Sequence, residues 1–474
     1  MKSYSTMAHL NVRLTGTKVL TECRKQPAWQ VAIFGTFDVE NYGDLLFPVI
    51  AEAELTRRLG TVKLHRFSYN AKKTPEWPYT VTSLTELPKL AEQLDGVLIG
   101  GGFIVRFNKV IAQGYLPPTP DIHHPTGYWL SPALIAQQHG IPVIWNAPGM
   151  HCNDIPEWSI PLLKLALENS QCVRVRDELS RDSLRELSPT TDIQALPDTA
   201  FGLPNLIDEH HPSKAFTELR KTFGLDKPYI VIQPIHVVEP FLRLFERHPQ
   251  SLCGYRLLVL PIGPVLGDHH RVVSTRIPNT ITLPFWPAPL LLAEILCHAQ
   301  AVIGHSYHLS ISALVFGVPV FSTADLSIGK YTALAQMGQM HALVHTQELT
   351  EQWFTSRLGK TEPSASIDAS KMELASYWDQ VADIIVRGKT SAHHALNRFW
   401  QHLPTLLENG APVPLLPIEQ SVSTLDYLNI ELNARQRQIF MLTEQIVSLR
   451  NSNSFKVTAP LRALKRAFRK LRTR

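Results

Sequence analysis

The chain has 474 residues, 44% of them apolar and 18% charged, a balance that builds packed cores and excludes wholesale disorder over two or three domains of roughly 100–200 residues each. Its five cysteines, Cys23, Cys152, Cys172, Cys253 and Cys297, are widely spaced and form no CxxC pair, which argues against a disulfide framework or a zinc site and for a reducing, cytoplasmic compartment. The net charge of +5 is local: the last twenty residues hold eight Lys and Arg and no acid, so the rest of the chain carries −3.

Residues 1–29 are polar, show no clear period and are read as an extension. They contain Lys2, Arg13, Lys18, Arg24 and Lys25 but no long apolar run, so no signal peptide is expected. No stretch reaches the length of about eighteen apolar residues that a membrane span needs. VAIFGTF (31–37) reads as a buried strand, NYGDLLFPVIAEAELTRRLG (41–60) as a helix stopped by Gly60, and VKLHRFS (62–68) as a second strand. A helix over 84–94 and a strand with a glycine loop over 95–103 follow. Then come a helix over 131–140, a strand over 141–150, a helix over 160–170 and a strand over 172–178. After a break near 198–213 the alternation restarts, with strands at 228–236, 255–263, 299–306 and 318–324 and helices at 290–299 and 308–317. Strands alternating with helices predict parallel sheets covered on both faces. Two such units predict an α/β chain of two Rossmann-like domains, 30–203 and 204–402, the second closed by a helix at 371–402. Residues 403–419 hold four prolines and read as a linker. Leu425, Leu428, Leu432, Ile439, Leu442, Ile446 and Leu449 form a heptad seam interrupted by Arg435, which predicts a short coiled coil over 420–452 or a helix packed on the body. Residues 453–474 form a basic amphipathic tail.

In open parallel sheets the ligand site lies at the carboxyl ends of strands, so the loops after strands are the places to search. GTFDVENYGD (35–44) joins the first strand to the first helix. Its glycines allow close approach and its helix start offers amides; Asp38, Asn41 and Asp44 suit sugar hydroxyls or general-base work better than phosphate. A turn with an Asn cap would also explain it. GGGF (100–103) is a second tight turn, equally consistent with close strand–helix packing. In VRVRDELSRDSL (173–184), Arg174, Arg181 and Arg185 read as partners of nearby acids. Arg176 is singled out as a bidentate ligand for carboxylate or phosphate. AVIGHSYHLSISALVFGVPVF (301–321) ends a buried strand in a polar turn with His305, Ser306 and His308 at a helix start, a site for anions and proton transfer.

Four pieces, GTFDVENYGD, GVLIGGG, VRVRDELS…LPDTAFGL and VIGHSYHLSISALVFGVPVF, resemble the polysaccharide pyruvyl transferase family in order and spacing, over about residues 30–345. The resemblance implies a GT-B-like fold with catalysis in the interdomain cleft, no obligatory metal and no cofactor, and phosphoenolpyruvate as donor substrate. The first half would hold the acceptor sugar and the second would help hold the donor. The matching positions are Gly35, Asn41, Gly43 and Asp44; Gly100, Gly101 and Gly102; Arg176, Asp177, Ser180 and Asp198; and His308, Gly317 and Pro319. Many members carry Arg-x-His where this chain has Ser306-Tyr307-His308, so His305, His236 or Lys330 would have to supply the missing positive charge.

The expected catalytic set is therefore His308, Arg176 and Asp44. Arg176 and His308 hold the donor anions, His308 serves as the acid, and Asp44 is base or acceptor ligand. Gly35, Asp38, Asn41, Gly43, Gly100, Gly101, Gly102, Asp198, His305 and Ser306 are expected to bind substrate. The acceptor would be a glycan or a lipid-linked oligosaccharide. In the tail, Leu461, Leu464, Phe468 and Leu471 form an apolar stripe opposite Lys and Arg, which predicts an interfacial helix on anionic lipid at the inner face of the plasma membrane. A solvated basic end or a partner-bound helix is the alternative, and no nucleic-acid motif supports a third. The heptads would permit a homodimer. Two rival readings stay open, a GT-B nucleotide-sugar glycosyltransferase and a non-catalytic scaffold of a glycan assembly complex.

Overall fold

The computed structural model describes residues 28–107, 126–150, 155–327, 329–335, 337–343 and 349–389. The linker, coiled coil and basic tail expected after residue 402 lie outside the described residues, as do Cys23 and Cys152.

The first domain supplies β1 (Trp29–Phe34), β2 (Val62–Ser68), β3 (Thr82–Ser83), β4 (Gly96–Ile99), β5 (Gly102–Val105), β6 (Val143–Asn146), β7 (Pro148–Met150), β8 (Cys172–Val175) and β9 (Ile193–Ala195). Seven of them form one parallel sheet in the order β3-β2-β1-β4-β6-β8-β9, while β5 and β7 pair separately. The second domain supplies β10 (Tyr229–Ile232), β11 (Arg256–Val259), β12 (Ile281–Thr282), β13 (Ala301–Gly304), β14 (Val320–Ser322) and β15 (Met340–Ala342), parallel in the order β12-β11-β10-β13-β14-β15. Val31–Phe34 and Tyr229–Ile232 are buried along their whole length. A strand buried on both faces needs apolar side chains pointing both ways, which explains runs without alternation.

The longer helices are α1 (Tyr42–Leu59), α2 (Leu130–Gln138), α3 (Ile160–Glu168), α4 (Glu178–Leu187), α5 (Lys214–Phe223), α6 (Glu239–Arg247), α7 (Pro289–Cys297), α8 (Tyr307–Leu314) and α9 (Ala365–Arg387). The fold is α/β, two Rossmann-like domains in the expected GT-B-like arrangement. One apolar core runs through both, joining Leu46 and Ile50 of α1 to Leu292 and Ile295 of α7, Leu309 and Ile311 of α8, and Trp378 and Val381 of α9. The outer faces of the two sheets have separate cores. No helix among the described residues is long and apolar enough to cross a membrane.

Several expected elements differ, among them the strand expected over 141–150, which is split into β6 and β7 of different sheets. Residues 84–94 are not one helix but a 3₁₀ turn, a single α turn and another 3₁₀ turn. Leu84, Leu87 and Leu90 recur every three residues, which suits the three-residue turn, and Pro88 removes an N–H. The helix expected at 371–402 is observed at Ala365–Arg387, with 390–402 outside the described residues, and it runs from the second domain onto the first. Tyr377 Oη donates to Asn146 Oδ1 at 2.9 Å, Arg58 bonds Asp379 at 2.6 Å and the Ala375 carbonyl at 3.1 Å, and Ile385 packs against Gly96.

Candidate active site

Strand order reverses between β1 and β4 in the first sheet and between β10 and β13 in the second. Loops leaving such strands diverge and open a crevice. Here the two crevices face each other, and the cleft between the domains encloses about 1800 Å³.

On the first-domain side, the loop after β1 delivers Asn41 and Asp44 to the cleft. Asn41 precedes α1, and its Nδ2 donates to Asp44 Oδ2 at 2.9 Å. Gly102, at φ +87°, lies so close that a Cβ there would sit 2.7 Å from Asp44 Oδ1. Gly35, Gly100 and Gly101 stand behind this surface, where a Cβ would strike the Phe37 ring, the Phe34 carbonyl and the Phe47 ring. They shape the cleft without lining it. Asp38 does not line it either. Its oxygens take Ser68 Oγ at 2.6 Å and the Asn70 main-chain and side-chain N–H groups at 2.9 and 2.8 Å, so it pins the loop to β2.

Ala147 bends the chain between β6 and β7 at φ 52°, out of the main sheet and into the small β5–β7 pair. That pair brings Gly149 against Arg176, whose Nη2 would lie 2.3 Å from a Cβ at position 149. Arg176 follows β8 and is 7% exposed. Its guanidinium lies 5.7 Å from the Phe103 ring and 5.6 Å from the Tyr307 ring. Its Nε is buried with no hydrogen-bond partner, the Asp177 carboxylate lying 3.8 Å away. Asp177 instead caps α4, accepting from Ser180 N–H at 2.8 Å. The other arginines are engaged elsewhere: Arg174 with Asp192 and Gln380, Arg181 with Glu178 and Asp182, and Arg185 with the Ile193 carbonyl.

On the second-domain side, Ser306 caps α8, its Oγ accepting from Leu309 N–H at 3.5 Å. That use explains a hydroxyl where the family resemblance leads one to expect arginine, because arginine has no acceptor for the cap. His308, in the first turn of α8, reaches across to the first domain. Its Nε2 lies 3.2 Å from Asp198 Oδ2, its ring stands edge-on to Phe47, and its Nδ1 side abuts Gly43 of α1. Burial alone would raise the Asp198 carboxyl, but His308 and then Arg176 outweigh it, and its pKa lies below the usual value. His305 is pulled down by burial and then by Lys330.

Lys330 Nζ lies 5.6 and 5.3 Å from the rings of Tyr307 and Tyr331. Surrounding protein lowers it to about 8, Arg176 adding repulsion and Asp44 and Asp198 opposing it. The residue remains open to cleft water, which moderates that burial cost. Arg106, Arg176, His308 and Lys330 thus line one cleft with Asp44 and Asp198. Among the described residues, no group of three or more His, Cys, Asp or Glu is placed to hold a metal ion.

The sequence profile of the polysaccharide pyruvyl transferase family matches residues 41–325. The chain belongs to this family. No curated protein matches it in sequence. Among solved structures, it is similar to UDP-GlcNAc 2-epimerase from Neisseria meningitidis bound to UDP-GlcNAc (14% identity, 80% of this chain and 100% of that one, TM-score 0.40). It is also similar to the UDP-N-acetylglucosamine 2-epimerase of Rickettsia bellii (11%, 79% and 99%, TM-score 0.47) and to the glycosyltransferase SnogD of Streptomyces nogalater (12%, 79% and 100%, TM-score 0.36).

The chain brings together His308, Arg176, Asp44, Asn41, Gly102, Asp198, His305 and Ser306 along the cleft. Sequence reasoning missed Arg106, Tyr307, Tyr331, Gln233 and Asp268. Arg106 follows the glycine turn closely, which was a usable signal. Gln233 sits one residue past β10, and a polar residue ending a wholly apolar strand could have marked it. Asp268 carried no local signal, since its place depends on the fold of the loop after β11. Burial pushes its carboxyl up to about 6 against the pull of the Gly263 and Ile262 amides and Gln233.

Proposed function

We propose that this transferase moves the pyruvyl group of phosphoenolpyruvate to a sugar hydroxyl of a surface glycan or its lipid-linked precursor. The supporting observation is Arg176, 7% exposed, whose buried Nε has no hydrogen-bond partner among the described residues and which stands in one cleft with His308 and Lys330. A buried donor left without an acceptor is costly, and an anionic ligand would relieve that cost.

In this reading Arg176 and Lys330 hold the phosphate and carboxylate of the donor. His308, oriented by Asp198, delivers a proton to the methylene carbon, and an oxocarbenium-like centre forms at the adjacent carbon. A sugar hydroxyl adds there and gives its proton to Asp44 or to water. The carbon–oxygen bond to phosphate then breaks. A second hydroxyl of the same sugar adds to close a cyclic ketal and passes its proton to the departed phosphate or to water, or a methyl proton is lost to the same acceptors to leave an enolpyruvyl ether. Fixed cations facing the leaving phosphate stabilise the charge that develops on it.

The test is phosphate release from phosphoenolpyruvate by purified protein over a panel of aryl-glycoside and lipid-linked acceptors. Acceptor-dependent release that is lost in His308→Ala supports the reading. Turnover of a nucleotide sugar without such release would transfer the protein to the glycosyltransferases.

A further inference from the structure

We propose that Gln233 and Asp268 form a positioning clamp that sets His308 of the second domain against the Asp44 loop of the first. Gln233 is 5% exposed and follows β10 directly. Its Oε1 accepts the main-chain N–H groups of His305 at 2.9 Å and Ser306 at 3.0 Å. Its Nε2 donates to Asp268 at 3.2 Å to Oδ1 and 2.9 Å to Oδ2. Asp268 Oδ2 also accepts the N–H groups of Ile262 at 2.7 Å and Gly263 at 3.0 Å. The Ile262 carbonyl in turn accepts Tyr42 N–H at 2.9 Å across the domain boundary. Tyr42 opens α1, two residues before Asp44, and Ser306 precedes α8, two residues before His308.

A continuous chain of bonds therefore joins the helix start that carries Asp44 to the helix start that carries His308. Its polarity is forced. Backbone N–H groups only donate, so the amide oxygen of Gln233 must face 305 and 306, and its NH₂ must face Asp268. There is no slack around the amide, because a Cβ on Gly304 would lie 2.9 Å from Gln233 Oε1. Buried polar links of this kind stabilise less than apolar packing but fix one geometry. Transfer steps are sensitive to that geometry, a misplacement of about 1 Å costing on the order of a hundredfold.

The polarity supplies its own test. Gln233→Glu sets two carboxylates against each other, and Asp268→Asn sets two NH₂ groups against each other or turns donors onto donors. The double variant Gln233→Glu/Asp268→Asn restores a donor–acceptor link, the new asparagine NH₂ facing the new glutamate carboxylate while the asparagine oxygen keeps the Ile262 and Gly263 amides, with the charge moved to position 233. Two readouts are compared, the imidazole nitrogen NMR signal of His308 in the ligand-free protein and the kinetics of phosphate release. Each single variant is expected to shift the His308 signal and lower kcat about tenfold or more. KM for phosphoenolpyruvate should move less than about threefold. The double variant should recover both readouts.

Wild-type His308 signals and kcat in the single variants would overturn the clamp. So would a folded double variant as impaired as Asp268→Asn, which would make Asp268 itself a reacting group. If a single variant fails to fold, the double variant must still fold, and its failure also overturns the clamp. The kinetic arm rests on the pyruvyl-transfer reading, whereas the NMR arm needs no substrate. Recovery of the His308 signal in a protein inert toward phosphoenolpyruvate would therefore sink that reading and leave the clamp standing.

Discussion

At the scale of single residues, the site is a set of charges held by neighbours with no room to yield. Gly43 is the sharpest case, since a Cβ there would fall 1.9 Å from His308 Nδ1. Gly43→Ala should push the imidazole off Asp198 and reduce kcat about a hundredfold. Alanine suits a helix well, so the thermal transition should be largely preserved. A kinetically normal Gly43→Ala enzyme would contradict the placement of His308. Lys330, lowered to about 8, gives a pH signature. Below that value it is a cation facing the cleft, where the proposed donor would sit, and above it the charge is lost. KM for phosphoenolpyruvate should rise as the pH passes about 8, and Lys330→Arg, which stays charged, should move that rise to higher pH. An unchanged KM profile in Lys330→Arg would remove Lys330 from the donor site.

At the scale of elements, much was legible because buried parallel strands write their apolar runs plainly. The run 62–68 is a strand over that whole length, and 41–60 yields α1 within a residue at each end. The run 31–37 overshot for a physical reason. Phe37 is buried as deeply as Phe34, yet it lies in the loop, its ring folded back over Gly35. Hydropathy reports burial and not pairing. Edge strands of two or three residues, such as Thr82–Ser83 and Ile281–Thr282, are too short to show a period. The site was legible as loops after strands, and Lys330 stood among three candidates for a second cation, but which of His305, His236 and Lys330 faces Arg176 is set only by tertiary folding. Gly317 shows an element-scale constraint that the sequence did hint at. It ends the α8 turn at φ +70°, and a Cβ there would lie 1.7 Å from the Thr361 carbonyl oxygen. Gly317→Ala should destabilise the protein by about 2 kcal/mol or more, read as a lowered denaturant midpoint.

At the scale of the whole molecule, α9 fixes how the two domains face. It begins at the second domain, where Ser366 meets Met337, and ends on the first, where Lys389 reaches the Glu92 carbonyl at 2.6 Å. The Tyr377–Asn146 bond is buried at the centre of that contact. Tyr377→Phe leaves a buried acceptor unpaired and should cost about 1–3 kcal/mol of stability. If unfolding remains a single transition at the wild-type midpoint, α9 is not the tie described. A second consequence concerns charge. The cleft gathers cations from both domains around a few carboxylates, so neither domain alone presents the whole set.

The central claim is pyruvyl transfer, and the most direct measurement follows the carbon. Purified protein is incubated with carbon-13-labelled phosphoenolpyruvate and an acceptor glycan, and the glycan is examined by mass spectrometry. The account predicts that all the labelled carbons of the donor appear on the sugar as a pyruvyl or enolpyruvyl group, with phosphate released in equal amount. A glycan that stays unlabelled while gaining a sugar from a nucleotide donor in a parallel reaction would contradict it.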